Sequence, residues 1–228
     1  MIKHYFTITW RNLRNNKILS LIKILGLSVG IATFILGVRY VQFEKSYDTH
    51  HKNFERIYRI QTQDKNDKTE IWSQCCVPMS KYMTENIPGV EKTAMFQPGS
   101  SQYFSTGNNK VYYEDKGVWV GKGFMDIFDI LFVYGNSKIF FNQSNAIALS
   151  ESLAQRIFPD ENPVGKTLLD KQKNELKITG VFKDIPPNSH MEFSYMLPFE
   201  FYKKGAVDNW EDFSYYCYTL LKPNVSRP

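Results

Sequence analysis

From Ile24 to Val38 the chain reads ILGLSVGIATFILGV without a charged residue, and back to Leu19 only Lys23 interrupts the apolar run. A bilayer core about 30 Å thick is crossed by about 20 helical residues. The run therefore predicts a membrane-spanning helix over 18–43. Lys23 lies about one turn inside it and can extend its aliphatic stem to the headgroups, while Arg39 closes the far end. Upstream, Ile2, Tyr5, Phe6, Thr9/Trp10 and Leu13 recur at helical spacing, followed by Arg11, Arg14 and Lys17. This pattern predicts an amphipathic helix over 1–17 on the cytoplasmic face, with Trp10, Arg11, Arg14, Lys17, Lys23 and Arg39 at the membrane interface.

Beyond residue 44 the period changes repeatedly. Phe54–Gln63 alternates and predicts a strand, the polar run DKNDK predicts a turn, and Ile71-Trp72 a short strand. Val77–Asn86 predicts a helix with Pro78 in its first turn and Pro88 beyond its end. Val111–Tyr113 and Val118–Val120 read as two strands around EDKG, and Phe124–Phe128 as a short helix. Ala146–Leu149 predicts an apolar strand, with Ser150 capping a helix over Glu151–Phe158 that stops at Pro159. Leu176–Phe182, Met191–Phe199 and Ser214–Leu221 complete the expected strands. Strands and helices mix without a strict βαβ repeat. The expected class is α+β: one transmembrane helix, then a mixed α/β extracytoplasmic domain over 44–228.

Charge sharpens the topology. The net charge of +5 lies wholly within residues 1–23, where Lys3, Arg11, Arg14, Lys17 and Lys23 meet no Asp or Glu; the remainder balances, 23 basic against 23 acidic. The body is thus not a basic, nucleic-acid-binding domain. The basic flank predicts an N-terminus in the cytoplasm and a body outside. No small-x-small site follows the apolar run, so the run reads as retained and not as a cleaved leader. Mean hydropathy of −0.38 excludes a polytopic membrane protein over this length. Within the span, Gly26 and Gly30 form a GxxxG pair, with Ser28 and Ala32 on a neighbouring stripe. Small residues let helix backbones approach closely, so these four positions predict packing against another transmembrane helix.

Catalytic chemistry is not legible. Gly165-Lys166-Thr167 resembles the end of a phosphate loop, but Asp160 stands where the first glycine belongs. Neither a bound ATP nor another cofactor is expected in this chain. His50 and His51 lie near Asp48 and Glu44, adjacent histidines are expected to point apart, and His190 is isolated in sequence, so no metal site is expected. Ser150 reads as a cap and not as a nucleophile, and Tyr215, Tyr216 and Tyr218 as core. Cys75, Cys76 and Cys217 leave two readings open: three free thiols, or one disulfide from Cys217 to Cys75 or Cys76.

The stretches WRNLRNNKILSLIKILGLSVGIA (10–32) and FEKSYDTHHKNFERIYRI (43–60) resemble the opening of MacB/FtsX-type ABC transporter permeases. GVWVGKGFMDIFDI (117–130), AIALSESLAQRIFPDENPVGKTL (146–168) and ITGVFKDIPPNSHMEF (178–193) resemble their periplasmic core domain. Lys23 departs from the uncharged polar residue usual there. The resemblance implies a non-enzymatic permease subunit in the bacterial inner membrane. Its implied partners are a cytoplasmic ABC ATPase that binds the ATP, a second permease copy, further C-terminal transmembrane helices and a periplasmic adaptor. It further implies export or mechanotransmission driven by that ATPase, and an N-terminal fragment whose core domain is cut short. From the residues alone, a membrane-anchored sensor or binding module fits equally, and an anchored hydrolase fits less well.

Overall fold

The computed structural model describes residues 2–65, 67–107, 110–199 and 208–225, without the side chains of residues 2, 3, 6 and 12. The chain divides into two compact units, 1–47 and 48–228. In the first, helix α1 spans Ile2–Asn15 and helix α2 spans Lys17–Lys45. No residue of α2 is buried and its apolar side chains are exposed all round it. Water does not tolerate so large an apolar surface, and lipid does. At 1.5 Å per residue α2 is roughly 44 Å long, enough to cross a bilayer.

In the second unit a 3₁₀ turn at Phe54–Arg56 leads into β1 (Ile57–Arg59), followed by a hairpin of β2 (Thr62–Gln63) and β3 (Ile71–Trp72). Then come α3 (Val77–Asn86), β4 (Val90–Ser105), β5 (Val111–Val120), α4 (Phe124–Ile127), β6 (Phe132–Gly135) and α5 (Ser137–Phe141). The order closes with β7 (Ala146–Ser150), α6 (Glu151–Ile157), β8 (Thr167–Leu169), β9 (Glu175–Phe182), β10 (Tyr195–Pro198) and β11 (Tyr216–Leu221). Among the described residues nine strands form one mixed sheet in the order β1-β11-β4-β5-β10-β7-β9-β6, with β8 against β4 and β9. The β5–β10 and β7–β9 pairs are parallel.

At its centre, in β7 and β10, the sheet is buried on both faces, which explains the apolar runs there. Along β7, Ala146 and Ala148 face a cluster holding Phe96, Phe124, Phe128, Phe182 and Phe193; Ile147 and Leu149 face the opposite cluster of Leu153, Ile157, Leu168, Ile178 and Leu197. Ser150 caps α6 as expected, its side chain accepting from the Leu153 N–H at 3.3 Å.

Elsewhere tertiary contacts override local pattern. The strand expected over 54–63 is broken. Arg56 bonds Asn53, Glu91 and the Leu221 carbonyl, holding 54–56 as a turn before β1 begins. The two strands expected at 111–113 and 118–120 are one, because Glu114, read as part of a turn, is buried and paired with Arg156. Gly117 permits this continuity: a Cβ there would lie 2.0 Å from the Tyr195 ring. The long strand β4, for which no element was expected, runs through Pro98-Gly99 as an irregularity in register, with Gly99 at φ +90°. β6, α5 and β8 are short elements that no sequence pattern announced, and the strand expected over 191–199 is confined to Tyr195–Pro198.

Candidate functional site

The predicted interface and packing residues fall on α1 and α2. Trp10, Arg11, Arg14, Lys17, Lys23 and Arg39 are all exposed. Ile2 and Phe6, part of the expected apolar face of α1, have side chains outside the described residues. Helical rise puts roughly 24 Å between Lys23 and Arg39 and roughly 33 Å between Lys17 and Arg39. A core of about 30 Å therefore places Lys23 just inside the boundary, within reach of the headgroups. Nothing lies within 4 Å of a Cβ built on Gly26 or Gly30, so that face is open to another helix. Ser28 and Ala32 are exposed beside it.

The second unit opens with a polar network that joins three distant stretches of sequence. Asp48 donates its N–H to the Asn188 carbonyl at 2.9 Å. Its carboxylate accepts from the Ser189 hydroxyl and the His190 N–H, both at 3.0 Å, and from His190 Nδ1 at 2.7 Å. Burial alone would push the Asp48 carboxyl up, but the His190 N–H, ring and charge and the Ser189 hydroxyl together hold it below the usual carboxylate range. An ionised carboxylate cannot donate, so Nδ1 carries the proton of that bond, and Nε2 is hydrogen-bonded to the Tyr218 hydroxyl at 2.8 Å. Burial pushes the Tyr218 phenol up to about 12, keeping it protonated.

Beside this network His51 is buried, at 4% exposure. Its Nδ1 accepts from the Asp129 N–H at 3.3 Å, and Asp129 in turn accepts from the Lys52 N–H at 2.6 Å. Its Nε2 has no hydrogen-bond partner, and Phe128 packs edge-on at 5.1 Å. Burial, then the neighbouring His50, lowers its pKa to about 4 against the opposing pull of Asp129 and Asp48. The adjacent rings of His50 and His51 do not point apart as expected; their centroids are 3.9 Å apart, because both belong to the tight turn ahead of β1.

In the sequence His50 and His51 lie near Asp48 and Glu44, while His190 stands isolated. The 142-residue separation of Asp48 from His190 gave no local signal; the only sign was a polar, turn-forming composition at both places. Among the described residues no three His, Cys, Asp or Glu side chains gather to hold a metal ion. Gly165-Lys166-Thr167 turns into β8, with the Gly165 and Lys166 amides bonded to the carbonyls of Ile178 and Pro163. All three cysteines are buried free thiols, and a hydrogen bond to Cys217, then burial, pushes Cys75 up. An open cleft of about 510 Å³ lies between α3 and β4, bordered by Lys81, Tyr82, Lys122 and Trp210.

The sequence profile of the MacB-like periplasmic core domain matches residues 20–228. The chain belongs to that family. Its fold recurs in solved structures. A domain assigned to a permease protein of Porphyromonas gingivalis has 26% identity and a TM-score of 0.69, over 77% of this chain and 79% of that one. The periplasmic region of MacB from Actinobacillus actinomycetemcomitans has 17% identity and a TM-score of 0.53, over 75% of each chain. The extracellular domain of the noncanonic ABC-type transporter YknZ from Gram-positive bacteria has 14% identity and a TM-score of 0.53, over 74% and 84%. Curated protein sequences contain no match. The MacB-like domain of this chain thus follows an apolar helix of membrane-spanning length, as in a membrane-anchored permease.

Proposed function

We propose that the chain is a permease subunit of a MacB/FtsX-type ABC transporter in the bacterial inner membrane. Residues 1–17 form a cytoplasmic helix, 18–43 the span and 44–228 the periplasmic body. A cytoplasmic ABC ATPase binds and hydrolyses ATP, a second permease copy and further transmembrane helices pack on the Gly26/Gly30 face, and a periplasmic adaptor meets the body. The movement serves export or mechanotransmission. The observation that carries this reading is the family match over 20–228, which takes in both the basic-flanked apolar helix and the double-faced sheet domain. The charge asymmetry supports the orientation.

The test is protease treatment of spheroplasts expressing the chain with a tag at each end. Residues 45–228 are digested while the N-terminal tag survives; protection of the body in intact spheroplasts refutes the orientation. Co-purification with an ATPase encoded beside the gene supports the subunit assignment, and its absence under mild detergent counts against it. A second reading, an anchored binding module, draws support from the cleft between α3 and β4, where the exposed rings of Tyr82 and Trp210 meet edge to face at 6.2 Å. Binding of a small ligand that is abolished by Trp210→Ala, without any ATPase partner, favours it.

A further inference from the structure

Between the end of α2 and the first strand of the sheet the chain has no ladder to hold it. Residues 48–56 precede β1, and none of them belongs to the apolar clusters of the core. What fastens them is polar. Asp48 is bonded to Asn188, Ser189 and His190; Lys52 and His51 are bonded to Asp129; and Arg56 is bonded to Glu91 and the end of β11. Asp48 itself is left-handed, at φ +57°. That conformation is uphill for a residue with a Cβ, least so for Asn and Asp, and it persists where the surroundings over-determine it. Here four hydrogen bonds to one loop do so.

We infer that residues 48–56 are a strap, latched by Asp48 onto loop 188–190, that delivers a pull on the α2 end of the chain to the sheet instead of letting it run out as slack. The reason is one of length. If the strap peeled, residues 48–56 could span up to about 30 Å from end to end. A helix displacement of one turn, about 5.4 Å, would vanish into that slack. With the latch closed, the pull arrives through Asp48 at loop 188–190, which leads into β10, and through Tyr218 at β11, both inside the sheet. The bonds to the Asp48 and Asp129 carboxylates and from the Arg56 guanidinium are charge-assisted and roughly twice as strong as neutral ones. They therefore suit a strap whose ring contact with the core is His51 against Phe128. That α2 is what pulls rests on the permease reading above; that the strap bears load does not.

The test is single-molecule pulling of the full chain in detergent micelles, with clickable handles at positions 47 and 138. Wild type holds until the main unfolding event. Asp48→Asn keeps the shape and the left-handed tolerance but removes the charge, and it leaves the protonated Nδ1 of His190 without its acceptor. It shows an early extension step, smaller than the strap's full span of about 30 Å, at lower force, followed by the unchanged main event. Should Asp48→Asn fail to fold, Ser189→Ala and His190→Gln each remove part of the latch and show the same step at forces between the two. An early step already present in wild type overturns the strap, and so does a variant series indistinguishable from wild type. Because no membrane orientation enters the measurement, its failure is separable from that of the spheroplast experiment.

Discussion

His51 makes the second unit sensitive to mild acid, in a direction and amount that follow from its surroundings. Its pKa is lowered from 6.5 to about 4 by burial and by His50, so the folded state keeps it neutral where the unfolded chain takes up a proton. Stability is therefore fully present above pH 6.5 and falls as the pH drops toward 4. For a single site with these two pKa values, the loss between pH 8 and pH 5 is about 2 kcal/mol. The groups facing His51 are His50, Asp129, Asp48 and His190. Asp48 contributes a loss of the same sign but at lower pH, since its carboxyl is held below its ordinary range. The assay is urea unfolding of the full chain in micelles, followed by tryptophan fluorescence at several pH values. His51→Phe retains a ring against Phe128 but removes the titrating nitrogen. It should unfold with a nearly flat stability between pH 6.5 and 5. It should also be less stable than wild type at pH 8, having lost the acceptor for the Asp129 N–H. An acid slope in the variant as steep as in wild type would refute the assignment of the slope to this buried imidazole.

Two other substitutions probe the sheet and the span. Gly117→Ala drives a methyl into the Tyr195 ring, which is fixed by its hydroxyl bonds to the Ser100 carbonyl and hydroxyl at 2.8 and 2.9 Å. A cost of about 2 kcal/mol or more, and a Tm lower by about 5 °C, is expected in a thermal melt; an unchanged Tm would show that Tyr195 can yield. Gly26→Leu and Gly30→Leu fill the open face of α2 and should weaken assembly with other permease helices in a full-length background while leaving the folded body intact. Unchanged assembly on native gels would remove that role.

The sequence by itself determined the features whose cause is local. The membrane helix follows from an apolar run of sufficient length, because lipid contact needs no partner in the chain. The α6 cap follows from one hydroxyl three residues from the N–H it satisfies. The strand Ala146–Ser150 follows from continuous apolar composition, since a central strand is covered on both faces. Tertiary structure alone decided the rest. β4 continues through Pro98-Gly99 because β5 pairs with it on both sides of the irregularity. Glu114 enters the interior of β5 because Arg156, on α6, neutralises it. The Asp48–His190–Tyr218 network exists only once loop 188–190 and β11 have been brought to the start of the domain. A hydrogen bond between residues 142 apart leaves no periodicity in a sequence, because its geometry is set by the packing of the sheet between them.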